Sequence, residues 1–238
     1  MSEAKPIKHK YGIIDSDYGL FLATRPPEED GPIYMVNLMK YHEVAQYAEG
    51  SVVDTTISGR EADDRYNPTA ILSKIGAAVV FVADVESNLV GEEDWDRIAI
   101  VRYATRSSFI EMQSRNDFAE KHEHKAAGMQ RTTIVCCRPE DLALDTRDRP
   151  SPEPDRWVAM VVRQTADRAN AFAAIPGATN LTAEGTIIGD GRRWDTVQFI
   201  AVDSPDEVAR IATSLSDCAP GEVYVMGLRA SLDAITKG

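Results

Sequence analysis

The sequence predicts an α+β chain in which a β-α-β-β-α-β unit is written twice, and three observations predict it. Apolar runs of strand length alternate with segments of helical period. A proline-rich, charged stretch divides the chain near its middle. Trp95-Asp96 followed by RIAIVRYATRSSFIEM lines up without a gap on Trp194-Asp195 followed by TVQFIAVDSPDEVARI, which reads as an internal duplication. With 238 residues, 43% hydrophobic and 27% charged, the chain has ordinary globular composition, enough for one large domain or two of about 100 residues.

Residues 1–31 carry Pro26, Pro27 and an acidic run before Gly31, and read as an arm ahead of the fold. Ile33 to Tyr41 (IYMVNLMKY) is apolar, β-prone and the length of a buried strand. Ser58 to Ile75 places Ala62, Tyr66, Ala70, Ile71 and Ile75 at near-helical spacing, with Pro68 as a kink and Gly76 as a stop. Ala77 to Val85 and Arg97 to Ala104 read as neighbouring antiparallel strands. Thr105 to Gly128 reads as a helix interrupted near Asn116, and Thr132 to Cys137 as a fourth strand. This order is the split βαβ, or ferredoxin-like, arrangement. It recurs as a strand at Trp157 to Arg163, a short helix at Asp167 to Ala174, strands at Thr182 to Ile188 and Thr196 to Val202, a helix at Pro205 to Ser216 and a strand at Glu222 to Leu228.

The expected domains are therefore an arm (1–31), a first ferredoxin-like repeat (32–138), a proline-rich linker (139–156) and a second, degenerate repeat (157–238). A lone four-stranded sheet with both helices on one face leaves its other apolar face open. The expectation is that the two repeats cover each other, sheet to sheet, as a pseudo-dimeric α/β barrel within one chain, without excluding a homodimer.

Lys plus Arg total 26 against 38 Asp plus Glu, a net charge of -12, which argues against nucleic acids and anionic membrane surfaces as partners. No apolar stretch approaches the roughly 18 residues that span a bilayer, and MSEAKPIKHK lacks the apolar core of a signal peptide, so the expected compartment is the cytoplasm. Adjacent Cys136 and Cys137, pointing to opposite faces of a strand, and a distant Cys218 predict three reduced thiols and no zinc site.

The segments PIYMVNLMKY, SGREADDRY, WDRIAIVRY and FIEM followed by HEHKAAG resemble an uncharacterised bacterial branch of the dimeric α/β barrel superfamily, well over residues 32–138 and weakly over 157–230. The resemblance implies a fold shared by cofactor-independent monooxygenases of aromatic polyketides, haem-degrading monooxygenases, lactone isomerases, polyketide cyclases and proteins with no known reaction. It does not choose among them. In such folds the pocket often lies between a sheet and its helices. Haem-degrading members carry an Asn on the first strand, a Trp at the end of the third and a His on the second helix; by position these fall on Asn37, Tyr103 and His122, with tyrosine in place of the tryptophan.

The candidate residues follow. His122 and His124 are two apart on one helix and project about 200° apart, so one can face the sheet while the other faces away. Asn37 is a polar amide in the middle of an apolar strand, where it needs a partner or a ligand. Tyr103 closes the third strand. These four are the expected catalytic set: a histidine takes a proton while Asn37 and Tyr103 hold the developing oxyanion. Lys40, Arg60, Tyr66, Arg102 and Met112 are the expected substrate contacts, and Trp95-Asp96, recurring in both halves, reads as architecture. The GxGxxG, P-loop, GxSxG and HExxH patterns are missing. The expected function is therefore a cofactor-independent oxygenase, isomerase or cyclase acting on an aromatic or polyketide-like small molecule. A non-catalytic ligand-binding or stress-associated protein is the alternative, and a haem-degrading monooxygenase the second.

Overall fold

The computed structural model describes residues 7–51, 56–92, 94–113, 116–141, 143–146, 155–164, 175–218 and 221–236, with backbone only for 7–9, 116–121, 143 and 146. The elements run β1 (Ile7–His9), β2 (Gly12–Ile14), α1 (Ser16–Ala23), β3 (Ile33–Tyr41), α2 (Gly59–Tyr66), α3 (Thr69–Lys74), β4 (Ala78–Val90), β5 (Arg97–Tyr103), α4 (Arg106–Gln113), α5 (Asn116–Gly128), β6 (Met129–Pro139), α6 (Ala143–Thr146), β7 (Arg156–Arg163), β8 (Thr179–Gly189), β9 (Thr196–Val202), α7 (Pro205–Ser214) and β10 (Val223–Asp233).

Eight of these strands close a barrel. Following the hydrogen bonds gives β8-β6-β3-β5-β4-β10-β7-β9, with β9 returning to β8, every pair antiparallel. Two ferredoxin-like α+β repeats packed sheet to sheet are therefore not what the chain forms. The main-chain ladder crosses both seams, β4 to β10 and β6 to β8, so there is one continuous closed sheet instead of two faces pressed together. The structure is mostly β, with about 26% helix, and does not uphold the tandem-repeat α/β barrel of the resembling superfamily. The physical reason lies at the edges. A four-stranded sheet exposes two rows of unpaired N–H and C=O groups, and closure satisfies all of them at once.

Alternation along each strand divides its side chains between lumen and exterior. In β3, Tyr34, Val36 and Leu38 enter the lumen core with Phe81, Ile98, Phe199, Met226 and Leu228. Trp95 and Trp194 also pack there, each with its ring against Tyr224 (centroids 6.3 and 4.7 Å apart). Outside, Ile33 and Met35 meet the helices α1 to α4 in a second apolar cluster. Cys137 belongs to the lumen and Cys136 to the outer cluster, as adjacent strand residues must, and burial pushes the Cys136 thiol up to about 12. All three cysteines are free thiols.

Residues read as an arm contribute three elements. Strand β2 pairs with the far end of β8 through Ile13–Gly189 and Ile14–Ile188, and α1 is capped by the Asp15 carboxylate, which accepts from the Tyr18 N–H at 2.9 Å. The expected helix at 58–75 is two helices, because Pro68 follows the end of α2 and opens α3. The Ser58 hydroxyl and the Glu61 carboxylate form a reciprocal capping box that starts α2. The expected helix at 167–174 lies outside the described residues. Among the described residues no helix is long and apolar enough to cross a membrane.

Candidate functional site

A cavity of about 800 Å³ lies between the outer face of β3, β4, β5, β6 and β8 and the helices α2 to α5, with Tyr11 and Ile14 from the N-terminal segment closing one side. Much of its wall is apolar: Leu72, Val79, Val101, Phe109, Ile134 and Ile187 contribute. Polar groups gather where α2 and α5 meet, namely Tyr11, Asp63, Tyr66, His122, Lys125 and Arg97. This division, an apolar body with a few polar groups at one end, suits a small amphiphilic molecule.

The meeting of α2 and α5 depends on two glycines. The Gly59 N–H donates to the His42 carbonyl at 3.0 Å, and the His42 N–H donates to the Gly128 carbonyl at 2.9 Å. A methyl group placed on Gly59 would come within 2.5 Å of both carbonyl oxygens and 2.8 Å of the His42 nitrogen, all backbone atoms that cannot rotate away. Gly59→Ala is expected to pry α2 from α5 at a cost of about 1–3 kcal/mol. Urea denaturation measures it, and an unchanged midpoint would mean that the crossing relaxes freely.

The structure separates the predicted residues into two groups. Asn37, Tyr66, Tyr103, Met112 and His122 all line the cavity. Lys40, Arg60, Arg102 and His124 do not. Lys40 is held by Asp94 and Asp96, each at 2.8 Å. Arg60 pairs with Asp84 at 2.7 Å, and Arg102 grips Asp145 with two bonds of 2.7 and 2.6 Å. His124 Nδ1 meets the Tyr47 hydroxyl at 2.8 Å, on another side of α5 from His122.

His122 is the better-placed histidine. Its Nε2 lies 2.9 Å from the hydroxyl of Tyr11. Burial raises the Tyr11 phenol above its ordinary range, so the hydroxyl keeps its proton, and with the ring proton on Nδ1 it donates to Nε2. The result is a tyrosine–histidine dyad on the cavity wall. Tyr11 escaped the sequence reading because it sits in a short segment with no periodicity. A tyrosine flanked by Tyr11-Gly12 turn chemistry carries no signal of what it will touch.

Asn37 is 8% exposed, and its amide nitrogen donates to the carbonyls of Met35 at 3.0 Å and Ala99 at 3.4 Å. Both amide hydrogens are thus committed to backbone, and Oδ1 remains as an acceptor. It suits a substrate hydroxyl or N–H rather than an oxyanion, which reverses the role expected from sequence. The Tyr103 hydroxyl donates to the Met112 sulfur at 3.1 Å, a weak acceptor that a ligand oxygen can replace. Burial raises its pKa also, which keeps it a donor.

The remaining acids and bases of the polar end are paired with one exception. Asp63 accepts from the Tyr41 hydroxyl at 2.7 Å and from Arg97 at 3.4 Å, and Asp64 accepts from Arg97 at 2.7 Å. Lys125, one turn beyond His122 on α5, has its ammonium 5.4 Å from the centre of the Tyr66 ring. Burial holds that ammonium below the ordinary lysine range, against the pull of the Asp63 carboxylate. Among the described residues there is no group of three or more His, Cys, Asp or Glu side chains placed to hold a metal ion.

The chain matches no family model and no curated protein. It is similar to two solved structures. One, described as methylated RPA0582 protein, is 26% identical with a TM-score of 0.46, the match covering 55% of this chain and 97% of that one. The other, RPA0582 from Rhodopseudomonas palustris, described as a protein of unknown function and a structural genomics target, is 23% identical with a TM-score of 0.45, covering 53% and 95%.

Proposed function

We propose that the protein is a cytoplasmic small-molecule enzyme that abstracts a proton from carbon, without an organic cofactor, in an aromatic or polyketide-like substrate. The observation that carries this reading is the Tyr11–His122 dyad on the wall of a large, mainly apolar cavity. A carbonyl substrate seated against the apolar wall brings its α-carbon to the Tyr11 oxygen. That oxygen takes the carbon-bound proton as its own hydroxyl proton passes to His122 Nε2, and the electron pair of the C–H bond moves to the carbonyl oxygen as an enolate. The Tyr103 hydroxyl is the cavity-lining donor available to that oxygen. Return of the proton to another carbon is isomerisation, and attack by the enolate on a second carbonyl is cyclisation. Desolvation in the cavity strengthens each of these contacts.

The test is exchange of the α-protons of 1-tetralone, an aryl ketone of suitable size, in D₂O, followed by NMR. A saturable acceleration is expected, and it should vanish in Ala99→Trp, which fills the cavity from β5. Exchange no faster than in the filled variant defeats the catalytic reading. Saturable binding without exchange would make the chain a ligand-binding protein.

A further inference from the structure

We propose that Lys125 determines which molecules the cavity accepts, selecting ligands that carry an ionised acidic group, such as a carboxylate, sulfonate or phenolate, on an apolar or aromatic body. The inference rests on the cavity reading above and adds the substrate class.

Lys125 projects from α5 on the same side as His122, and both line the cavity. Residues three apart on a helix are neighbours on its surface, so the ammonium and the imidazole serve one ligand. The other charged side chains of this end are engaged directly with protein partners. Arg97 is shared by Asp63, Asp64 and Asp84, and Asp63 also holds the Tyr41 hydroxyl. The two carboxylates facing the cavity are thus tied to Arg97 and Tyr41, and Lys125 is the cation at this end that Asp63 influences only through space.

Lys125 differs. Among the described residues its ammonium makes no hydrogen bond and no ion pair; it sits over the π-face of Tyr66 and feels the Asp63 carboxylate only through space. An ammonium set in a mainly apolar cavity without a directly bonded anion is costly, and a ligand's acidic group reduces that cost while gaining a charge-assisted hydrogen bond. The apolar wall from Leu72 to Ile187 supplies the complement for the rest of the molecule. A ring seated there with its acidic group on Lys125 also lies beside the Tyr11–His122 dyad.

Two fluorescent probes with the same aromatic body separate the charge from the shape: 1-anilinonaphthalene-8-sulfonate and the uncharged N-phenyl-1-naphthylamine. With the full chain, the sulfonate is expected to bind at least about tenfold more tightly than the amine. Lys125→Met should abolish that preference while leaving the affinity for the uncharged probe within about twofold, and Lys125→Arg should keep it. Equal binding of both probes to the wild type, or a preference that survives Lys125→Met, overturns the proposal and leaves the cavity reading standing. Failure of both probes to bind, or binding undiminished by Ala99→Trp, overturns the cavity reading and the proposal together.

Discussion

Arg106→Met is expected to destabilise the fold by about 3–5 kcal/mol at neutral pH, the cost of breaking a buried ion pair from one side. The Arg106 side chain is 2% exposed. Its guanidinium grips the Glu184 carboxylate through Nε at 2.8 Å and through a second, shorter bond, and reaches Asp30 Oδ1 at 3.3 Å. The backbone N–H of Arg106 donates to the same Asp30 oxygen at 2.7 Å, and the Tyr18 hydroxyl donates to Glu184 at 2.9 Å. One side chain thus ties α4 to β8 and to the segment before β3. Methionine fills the space but leaves both carboxylates without their cation.

The pH dependence follows from the same contacts. Burial pushes the Glu184 and Asp30 carboxyls upward, but Arg106, with Tyr18 at Glu184 and the Ser107 and Gly31 groups at Asp30, outweighs burial and holds both below the usual carboxylate range. Groups with a depressed folded pKa contribute stability that is full above the unfolded pKa and is lost as pH falls through the folded value. The gap between wild type and Arg106→Met should therefore be widest at neutral pH and narrow below about pH 4. Adding Glu184→Gln to the methionine variant should recover part of the loss, since the amide carries no charge to strand. Urea denaturation at both pH values decides it. A loss below about 1 kcal/mol would place the clamp among ordinary solvated pairs.

His122→Ala is expected to lower kcat for 1-tetralone exchange by about 10²–10⁴-fold with little change in KM, the range for removing a general base. Tyr11→Phe should fall comparably, because its oxygen is the atom that meets the substrate, and the double variant should be little worse than either single one. His124→Ala should leave the rate unchanged, since its ring is engaged with Tyr47 away from the cavity. If His122→Ala keeps more than a tenth of the rate, the base lies elsewhere on the cavity wall.

These residues also show what a sequence can carry. Asn37 stood out in the sequence because a polar amide interrupts a largely apolar nine-residue strand, and it lines the cavity. The opposed projection of His122 and His124 followed from helix geometry, and one of the two does face the cavity. Strands β3 and β5 were legible from their apolar runs. Closure was not legible, because the seams β4–β10 and β6–β8 are made by backbone groups that every residue possesses. Nor was the partner of each charge: Lys40, Arg60 and Arg102 resemble ligand contacts in sequence, and Asp94, Asp84 and Asp145 claim them only once the chain has folded. Tyr11 and Lys125 needed the cavity itself to be noticed.

The seam between β4 and β10 has a consequence for synthesis. Ser231 donates to the carbonyl of Val82 across 149 residues of sequence, so the wall that backs the cavity is completed by a strand synthesised long after β4. Until then β4 presents an unpaired edge, and the nascent first half is a sticky, open ribbon. Such long-range pairing is slow to form. A chain stalled before β10 therefore keeps that edge open, and the interval between β4 and β10 is where a chaperone would have most to protect.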